Sequence, residues 1–383
     1  MKKAIVIFTQ PIEENTSSMI RSRNILKELP LCGYKTICYS PYSDSNSNQL
    51  KISDIEIRRY GEINHVAKIK EDIHSRKGIK QKILFFIYKL YKKIDIFGAS
   101  LQYLKYTKQI KNGVKKENPE LLFTFSDPMT AHIIGKSCSK YASKYIQQWG
   151  DPLATDTISK IGLPVWIRKI IEKNLIKNAN LICYVSPFTC EEQKNIYKKY
   201  AEKMIFLPTP SVKYQEIQCK KNKKLKIGYF GNYNSIARNI KPLYEAVLKN
   251  IDIELYLIGN SDLELKEEKN IILINRVSQQ ELESYLYKMD ILVCLLNSKG
   301  NQIPGKVYHY AGSYKEILII KDGEYRDEIE KYFSQFNRYT FVLNNPEKIG
   351  LVLDRYLKEG IPTRKPVEEF SSINIVKSLI KNV

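Results

Sequence analysis

No two cysteines in the 383-residue sequence are spaced CxxC, and the seven present (Cys32, Cys38, Cys138, Cys183, Cys190, Cys219, Cys294) are scattered. The four histidines, His65, His74, His132 and His309, lie equally far apart. Zinc sites and disulfide frameworks are marked by regular ligand spacing, so neither is expected. Most of the cysteines fall in or beside apolar segments, where a thiol serves as a small buried hydrophobe. Long apolar runs are missing as well. Each is broken by Lys or Asn well short of the roughly 20 residues a spanning helix needs. The opening MKKAIVIFTQPIEEN imitates a secretory leader with its two lysines, but the apolar run covers only residues 4–8 and acidic residues follow. It reads as a first buried strand, and a cytoplasmic location is expected. GxGxxG and a Walker lysine are absent, which argues against a dinucleotide fingerprint and a P-loop. No recognised nucleic-acid motif occurs, so nucleic acid is not an expected partner.

What is present is charge and rhythm. Lys and Arg number 62 against 41 Asp and Glu, a net +21. A polyanion, an anionic membrane face or a phosphate-rich ligand would match that balance. A composition rich in Lys, Ile and Asn, as AT-rich coding produces, is an equally open source. The length exceeds one ordinary core and implies two domains.

Short apolar runs alternate with helical patterns. AIVIF (4–8), KTICYS (35–40), LLFTFS (121–126), KYIQQW (144–149) and LICYVS (181–186) are expected strands, and MIRSRNILKEL (19–29) an expected helix. LPTPSVKYQEIQCKKNKK (207–224), with two prolines and a lysine cluster, is the expected linker. Beyond it come strands KIGYFG (226–231), ELYLIGN (254–260), IILIN (271–275), ILVCLL (291–296), EILII (316–320) and FVLN (341–344), with helices at 240–250 and 279–289. This is the βαβ rhythm of parallel, doubly wound sheets. The expected division is 1–207, a linker at 208–224, a second domain at 225–360, and a terminal stretch 361–383, whose helix would pack back on the first domain only by the fold resemblance given below, not by periodicity. Ligands of such sheets bind beyond the carboxyl ends of the strands, here in a cleft faced by both domains. Residues 78–116 break the pattern, being cationic with Leu84, Ile87, Tyr88 and Tyr91 at helical spacing. Such a helix suits an anionic membrane surface. An ordinary sheet-packed helix with a solvated lysine face is the alternative.

Two stretches carry candidate chemistry. In IPGKVYHYAG (303–312) a Pro-Gly turn opens a short helix with a lysine, where the helix dipole disfavours positive charge. An anion would resolve this, held by the N–H groups of Gly305, Lys306 and Val307 and by the Lys306 charge. A plain turn with a surface lysine is the other reading. In KIGYFGNYNSIARNIKPLYEAV (226–247) a strand ends in Gly231, and Arg238 precedes a helix that Asn239 could cap. Two phosphate-suited loops in one domain fit a diphosphate.

These stretches resemble the donor domain of GT-B glycosyltransferases, most closely the retaining family 4 group that builds bacterial capsule, lipopolysaccharide and exopolysaccharide. YFGNYNSIARNI is similar to that family's glycine loop, LYLIGN to its next strand, VSQQELESYLYKMDILVCLLNS (277–298) to its helix and strand before the active site, and PGKVYHYAGSYKEIL to its lysine-bearing helix. The likeness covers nearly the whole chain, more loosely in IVIFTQPIEENTSSMIRSRNILKEL and QQWGDP. It implies an α/β chain of two doubly wound Rossmann-like domains facing a cleft. It implies a retaining, metal-independent hexosyltransferase with a nucleotide-sugar co-substrate, consistent with the missing DxD, and no other cofactor. The acceptor would be a glycan or polyprenyl-diphosphate-linked sugar, at the inner face of the plasma membrane.

By the resemblance, Arg238 and Lys306 neutralise the donor diphosphate, the Gly231–Asn232 backbone approaches it, and Val277 lies near the base. The family's two glutamates, seven residues apart, correspond to Asn301 and His309, and His309 would face the ribose. Asp151 is the acidic candidate on the acceptor side, or else a turn cap before Pro152. His132 is a candidate base, or else a satisfied helix histidine. Glu13, Glu14, Asn15 and Thr16 form a polar loop where an acceptor could bind. Two other functions stay open: a nucleotide-sugar 2-epimerase, which can share this fold, and a non-catalytic GT-B-like scaffold subunit.

Overall fold

The computed structural model describes residues 2–14, 16–43, 50–61, 86, 100–126, 128–155, 163–212 and 223–383. The chain divides into two compact units, Met1–Pro208 with Ser372–Val383, and Thr209–Ser371.

The first unit is built on β1 (Lys2–Ile7), β2 (Tyr34–Pro41), β3 (Ile55–Tyr60), β4 (Leu121–Phe125), β5 (Lys144–Trp149), β6 (Leu181–Tyr184) and β7 (Met204–Phe206). They form one parallel sheet in the order β3-β2-β1-β4-β5-β6-β7. Its helices include α1 (Ser17–Glu28), α2 (Thr107–Glu117), α3 (Thr130–Cys138), α4 (Val165–Ile176) and α5 (Pro187–Ile196). Successive side chains of a strand point to opposite faces. Ala4, Val6 and Phe8 therefore enter one apolar cluster and Ile5 and Ile7 the other. Both faces are covered, which is why these strands are continuously apolar rather than alternating.

The second unit repeats the plan with β8 (Leu225–Phe230), β9 (Ile253–Ile258), β10 (Ile271–Ile274), β11 (Ile291–Leu295), β12 (Glu316–Lys321) and β13 (Thr340–Leu343). The order is β10-β9-β8-β11-β12-β13, again all parallel. Around it lie α6 (Lys241–Leu248), α7 (Gln279–Lys288), α8 (Gly305–Tyr310), α9 (Arg326–Ser334) and α10 (Pro346–Glu359). Leu243 and Val247 of α6 and Ile349 and Leu353 of α10 pack on Ile227, Leu255, Val293 and Leu318 of the strands. Each such fully buried aliphatic contributes roughly 1.5–3 kcal/mol. The winding reverses between β8 and β11, so the loops leaving those two strands border the switch point where doubly wound sheets bind ligands.

The unit boundaries differ from the expected ones. Residues 361–371 belong to the second unit. The Val367 N–H donates to Ala311 O at 3.0 Å, and Phe370 packs edge-on against Tyr308 with ring centroids 5.1 Å apart. Thr209–Val212 also belong there, tied by Ser211 N–H to Phe370 O and Val212 N–H to His309 O. Residues 213–222 of the expected linker lie outside the described residues. The last helix, α11 (Ser372–Lys381), puts Ile375, Val376 and Leu379 into the first unit's cluster beside Met19, Ile25 and Leu26 of α1.

In the 78–116 segment, Leu84, Ile87, Tyr88 and Tyr91 lie outside the described residues. Phe86 is described and exposed, and the described run 100–116 packs on the sheet. Tyr103, Ile110 and Val114 are buried while Lys108, Lys115 and Lys116 face solvent. For that part the ordinary packed helix is the correct reading.

Candidate functional site

The loop after β8 is built from local hydrogen bonds. Asn234 Oδ1 accepts the Ile236 and Ala237 N–H groups at 3.0 and 2.7 Å, folding residues 234–237 into a side-chain-closed turn. The loop after β11 is laid against it. Ser298 N–H donates to Ala237 O at 3.0 Å, and Ser298 Oγ–H to Ile236 O at 2.7 Å. A third loop, after β9, joins through Ser235, whose N–H and hydroxyl both reach the Asp262 carboxylate at 2.9 Å.

Arg238 and Lys306 meet on this platform. Arg238 Nε–H donates to Oδ1 of the buried Asn297 at 2.8 Å, which fixes the plane of the guanidinium. Lys306 Nζ lies over the Tyr229 ring, 5.3 Å from its centroid. A methyl group at Gly231, whose φ is +139°, would overlap Lys306 Nζ. Burial first, and then the Arg238 charge, push the Lys306 ammonium down to about 8. Among the described residues neither cation has a carboxylate partner. Two like charges share one end of a sheet, and an anion there would relieve both.

Several expected roles change at this resolution of detail. Gly231 does not offer its N–H to a ligand, because that group donates to Ile258 O at 2.7 Å. Its contribution is the space it leaves for Lys306. Asn232 Oδ1 accepts the Asn260 N–H at 3.1 Å, so its side chain braces the β9 loop. Asn239 accepts the Lys241 N–H at 3.1 Å, but Ile240 occupies the cap position of α6. Pro304 is the cap residue of α8, and the Val307 N–H donates to Pro304 O at 3.0 Å. Val307 is fully buried, so of the three amides expected to face an anion this one is spent within the helix. Gly305 stays partly exposed at the helix start. His309 is buried on α8, 7 % exposed, and presents little imidazole surface to a ribose. Asn301 is partly exposed in the β11–α8 loop, and Val277 is partly exposed between β10 and the Ser278 capping box of α7.

In the first unit the candidate base is excluded. His132 is fully buried, lies tilted against Trp149 with ring centroids 4.5 Å apart, and shares a 2.7 Å hydrogen bond between Nδ1 and Thr124 Oγ1. Burial pushes its pKa down to about 3, so it is a neutral core histidine. Glu13 is engaged internally. Its carboxylate pairs with Arg59, side chain 8 % exposed, and accepts the Leu50 N–H at 3.2 Å. Thr16 is the N-cap of α1, accepting the Met19 N–H at 3.2 Å. The ion pair of Glu13 and the cap formed by Thr16 account for the polarity of those two residues without a ligand. Asn15 lies outside the described residues. Asp151 is partly exposed in the bend beyond β5, and the adjoining Gly150 N–H is fixed to Ser126 Oγ at 2.8 Å.

Three site residues escape sequence reasoning: Tyr229 under the lysine, Asn297 under the arginine, and Gly259. A methyl at Gly259 (φ +153°) would overlap the Gly231 carbonyl, so the two glycines are paired back to back. The LIGN and LLNS stretches held Gly259 and Asn297 in view, but nothing in one sequence pairs them with their partners.

No protein-family model matches the sequence, and no curated protein matches it. Solved structures do match. HepE of Anabaena, in complex with UDP and glucose, aligns with a TM-score of 0.64 at 10% identity, over 100% of this chain and 99% of HepE. The lipopolysaccharide outer core galactosyltransferase WaaB, in its apo form, aligns at 0.56 and 11% identity, over 100% and 99%. A protein described as a UDP-N-acetylglucosamine 2-epimerase from Listeria monocytogenes aligns at 0.52 and 12% identity, over 99% and 95%. Identities this low carry architecture and not chemistry. The architecture is GT-B: α/β, with two doubly wound Rossmann-like units in one chain.

Proposed function

We propose that this protein is a glycosyltransferase that moves a sugar from a nucleotide-sugar to a lipid-linked or oligosaccharide acceptor of a bacterial surface glycan, with retention of configuration. The observation that carries the reading is the Arg238–Lys306 pair, two cations without carboxylate partners among the described residues, set on the switch point of the second sheet. Such a pair matches a diphosphate better than a single phosphate. The shared architecture is one that holds UDP and glucose in HepE and serves a lipopolysaccharide galactosyltransferase in WaaB, so the fold accommodates a reaction of this kind.

In this reading Arg238 and Lys306 take up the charge that develops on the leaving diphosphate. Preorganised cations in a partly dry site stabilise that charge without solvent reorganisation, so the residues themselves require no metal for it. The acceptor's proton goes to the departing phosphate oxygen, as the family resemblance implies, and no histidine base is needed. That fits the loss of His132 as a candidate. Asp151 is the remaining acidic candidate for orienting an acceptor. A peripheral location at the inner membrane face follows from the lipid-linked acceptor.

The test is a panel of UDP-, GDP-, ADP- and CMP-sugars incubated with the protein, read by released nucleotide and by proton NMR of the sugar. Release of one nucleotide, lost at least about a hundredfold in Lys306→Ala, is expected. Interconversion of the sugar at C2 with the nucleotide still attached would replace this reading with the epimerase. No consumption of any donor would favour the scaffold.

A further inference from the structure

We propose that the exposed face of α4, with the lysine-lined groove beside it, is the surface by which this protein docks on an anionic lipid bilayer. This rests on the reading that the acceptor is lipid-linked. It names a different element from the 78–116 segment.

Helix α4 reads VWIRKIIEKNLI. Glu172, Leu175 and Ile176 are its buried side. Glu172, its one acidic residue, points inward, and its carboxylate accepts the Ala154 N–H at 2.7 Å. Arg168 is also turned back, donating to Leu153 O at 3.0 Å. Facing solvent are Val165, Trp166, Lys169, Ile170, Lys173 and Lys177. Positions 166, 169, 170, 173 and 177 follow helical spacing, so they form one stripe. Trp166 is 64% exposed and Ile170 58%, with Val165 adjoining. Scattered exposed apolar residues need no explanation, but three within two turns form a patch.

The groove beside α4 has a volume of about 420 Å³. Lys169, Lys173, Lys198 and Lys199 line it together with Ile170 and Tyr200, and among the described residues no acidic one does. A tryptophan with aliphatic neighbours matches the headgroup–acyl boundary, and flanking lysines match anionic headgroups. Protein–protein interfaces are instead depleted of lysine, so a stripe alternating lysine with apolar side chains fits lipid better than a partner protein or a second copy.

The two tryptophans make the test direct, because Trp149 is fully buried and Trp166 is the exposed one. The full-length protein is mixed with vesicles of phosphatidylglycerol and phosphatidylcholine, or of phosphatidylcholine alone. Expected are a blue shift of Trp166 emission, quenching by brominated acyl chains, and co-sedimentation with the anionic vesicles only, reversed by salt. Lys169→Glu with Lys173→Glu, and separately Trp166→Ser with Ile170→Ser, should each weaken partition at least about tenfold while thermal unfolding stays that of the parent protein. Brominated-lipid quenching in the parent protein needs no variant and stands alone. Unquenched Trp166 with unchanged sedimentation overturns the inference. So does a lipid-free, concentration-dependent blue shift with a dimer mass by light scattering, which would assign the face to a second copy. Vesicle docking through α4 without consumption of any nucleotide-sugar would leave this inference standing and remove the transferase. Donor consumption without vesicle binding would do the reverse.

Discussion

Lys306 is held where its own charge is disfavoured. Burial, and then Arg238, lower its pKa from 10.5 to about 8. The unfolded chain therefore holds the proton more tightly than the folded one. Between about pH 8 and 10.5 the folded state releases a proton the unfolded state keeps, so stability rises with pH across that window. Lys306→Met removes the penalty. With a discount for its partial exposure, the ligand-free variant should gain about 1 kcal/mol at pH 7. Its melting temperature should lie above the parent's at pH 7, converge with it near pH 10, and respond less than the parent's to nucleoside diphosphate. A variant that melts well below the parent at pH 7 would make Lys306 a structural residue. Lys306 and Arg238 stand out in the sequence itself, because charge in an unfavourable local setting is visible there. His132 does not, because its role depends on burial and on Thr124 and Trp149, which come from other elements.

Elements explain why the cations stay together. The loops after β8, β9 and β11 are hydrogen-bonded to one another, and Gly231 and Gly259 allow two of them to touch through their backbones. Gly231→Ala meets only the flexible end of Lys306, although at a φ of +139°, whereas Gly259→Ala meets the Gly231 backbone. The strain of an alanine at such φ is about 1–3 kcal/mol. Denaturant unfolding should therefore show Gly259→Ala as the more destabilised variant. Gly231→Ala should lose more nucleotide affinity than stability, by displacing the ammonium. Equal, small effects in both would mean the loops are not packed this tightly. Most strands were legible because burial on both faces makes them continuously apolar. β3 and β7 were missed for physical reasons. β3 is an edge strand whose Arg58 and Arg59 point to Glu117 and Glu13, and β7 spans three residues.

Across the molecule, two sheets of one design are assembled from a single chain, and the restart of the βαβ rhythm after residue 224 announced it. The exact unit limits were less legible. They depend on Val367 and Phe370 packing onto α8 and on α11 packing beside α1, contacts that carry no local sequence signature. The central claim is that the second unit binds a diphosphate through Arg238 and Lys306. Titration calorimetry with uridine, UMP and UDP, repeated with the guanosine and adenosine series, tests it most directly. For one base, affinity should rise steeply from nucleoside to diphosphate. It should fall on the order of tenfold or more in Arg238→Ala and in Lys306→Ala, since each removes a charge-assisted contact. Binding by none of the diphosphates at millimolar concentration, or a diphosphate affinity indifferent to both substitutions, would contradict it.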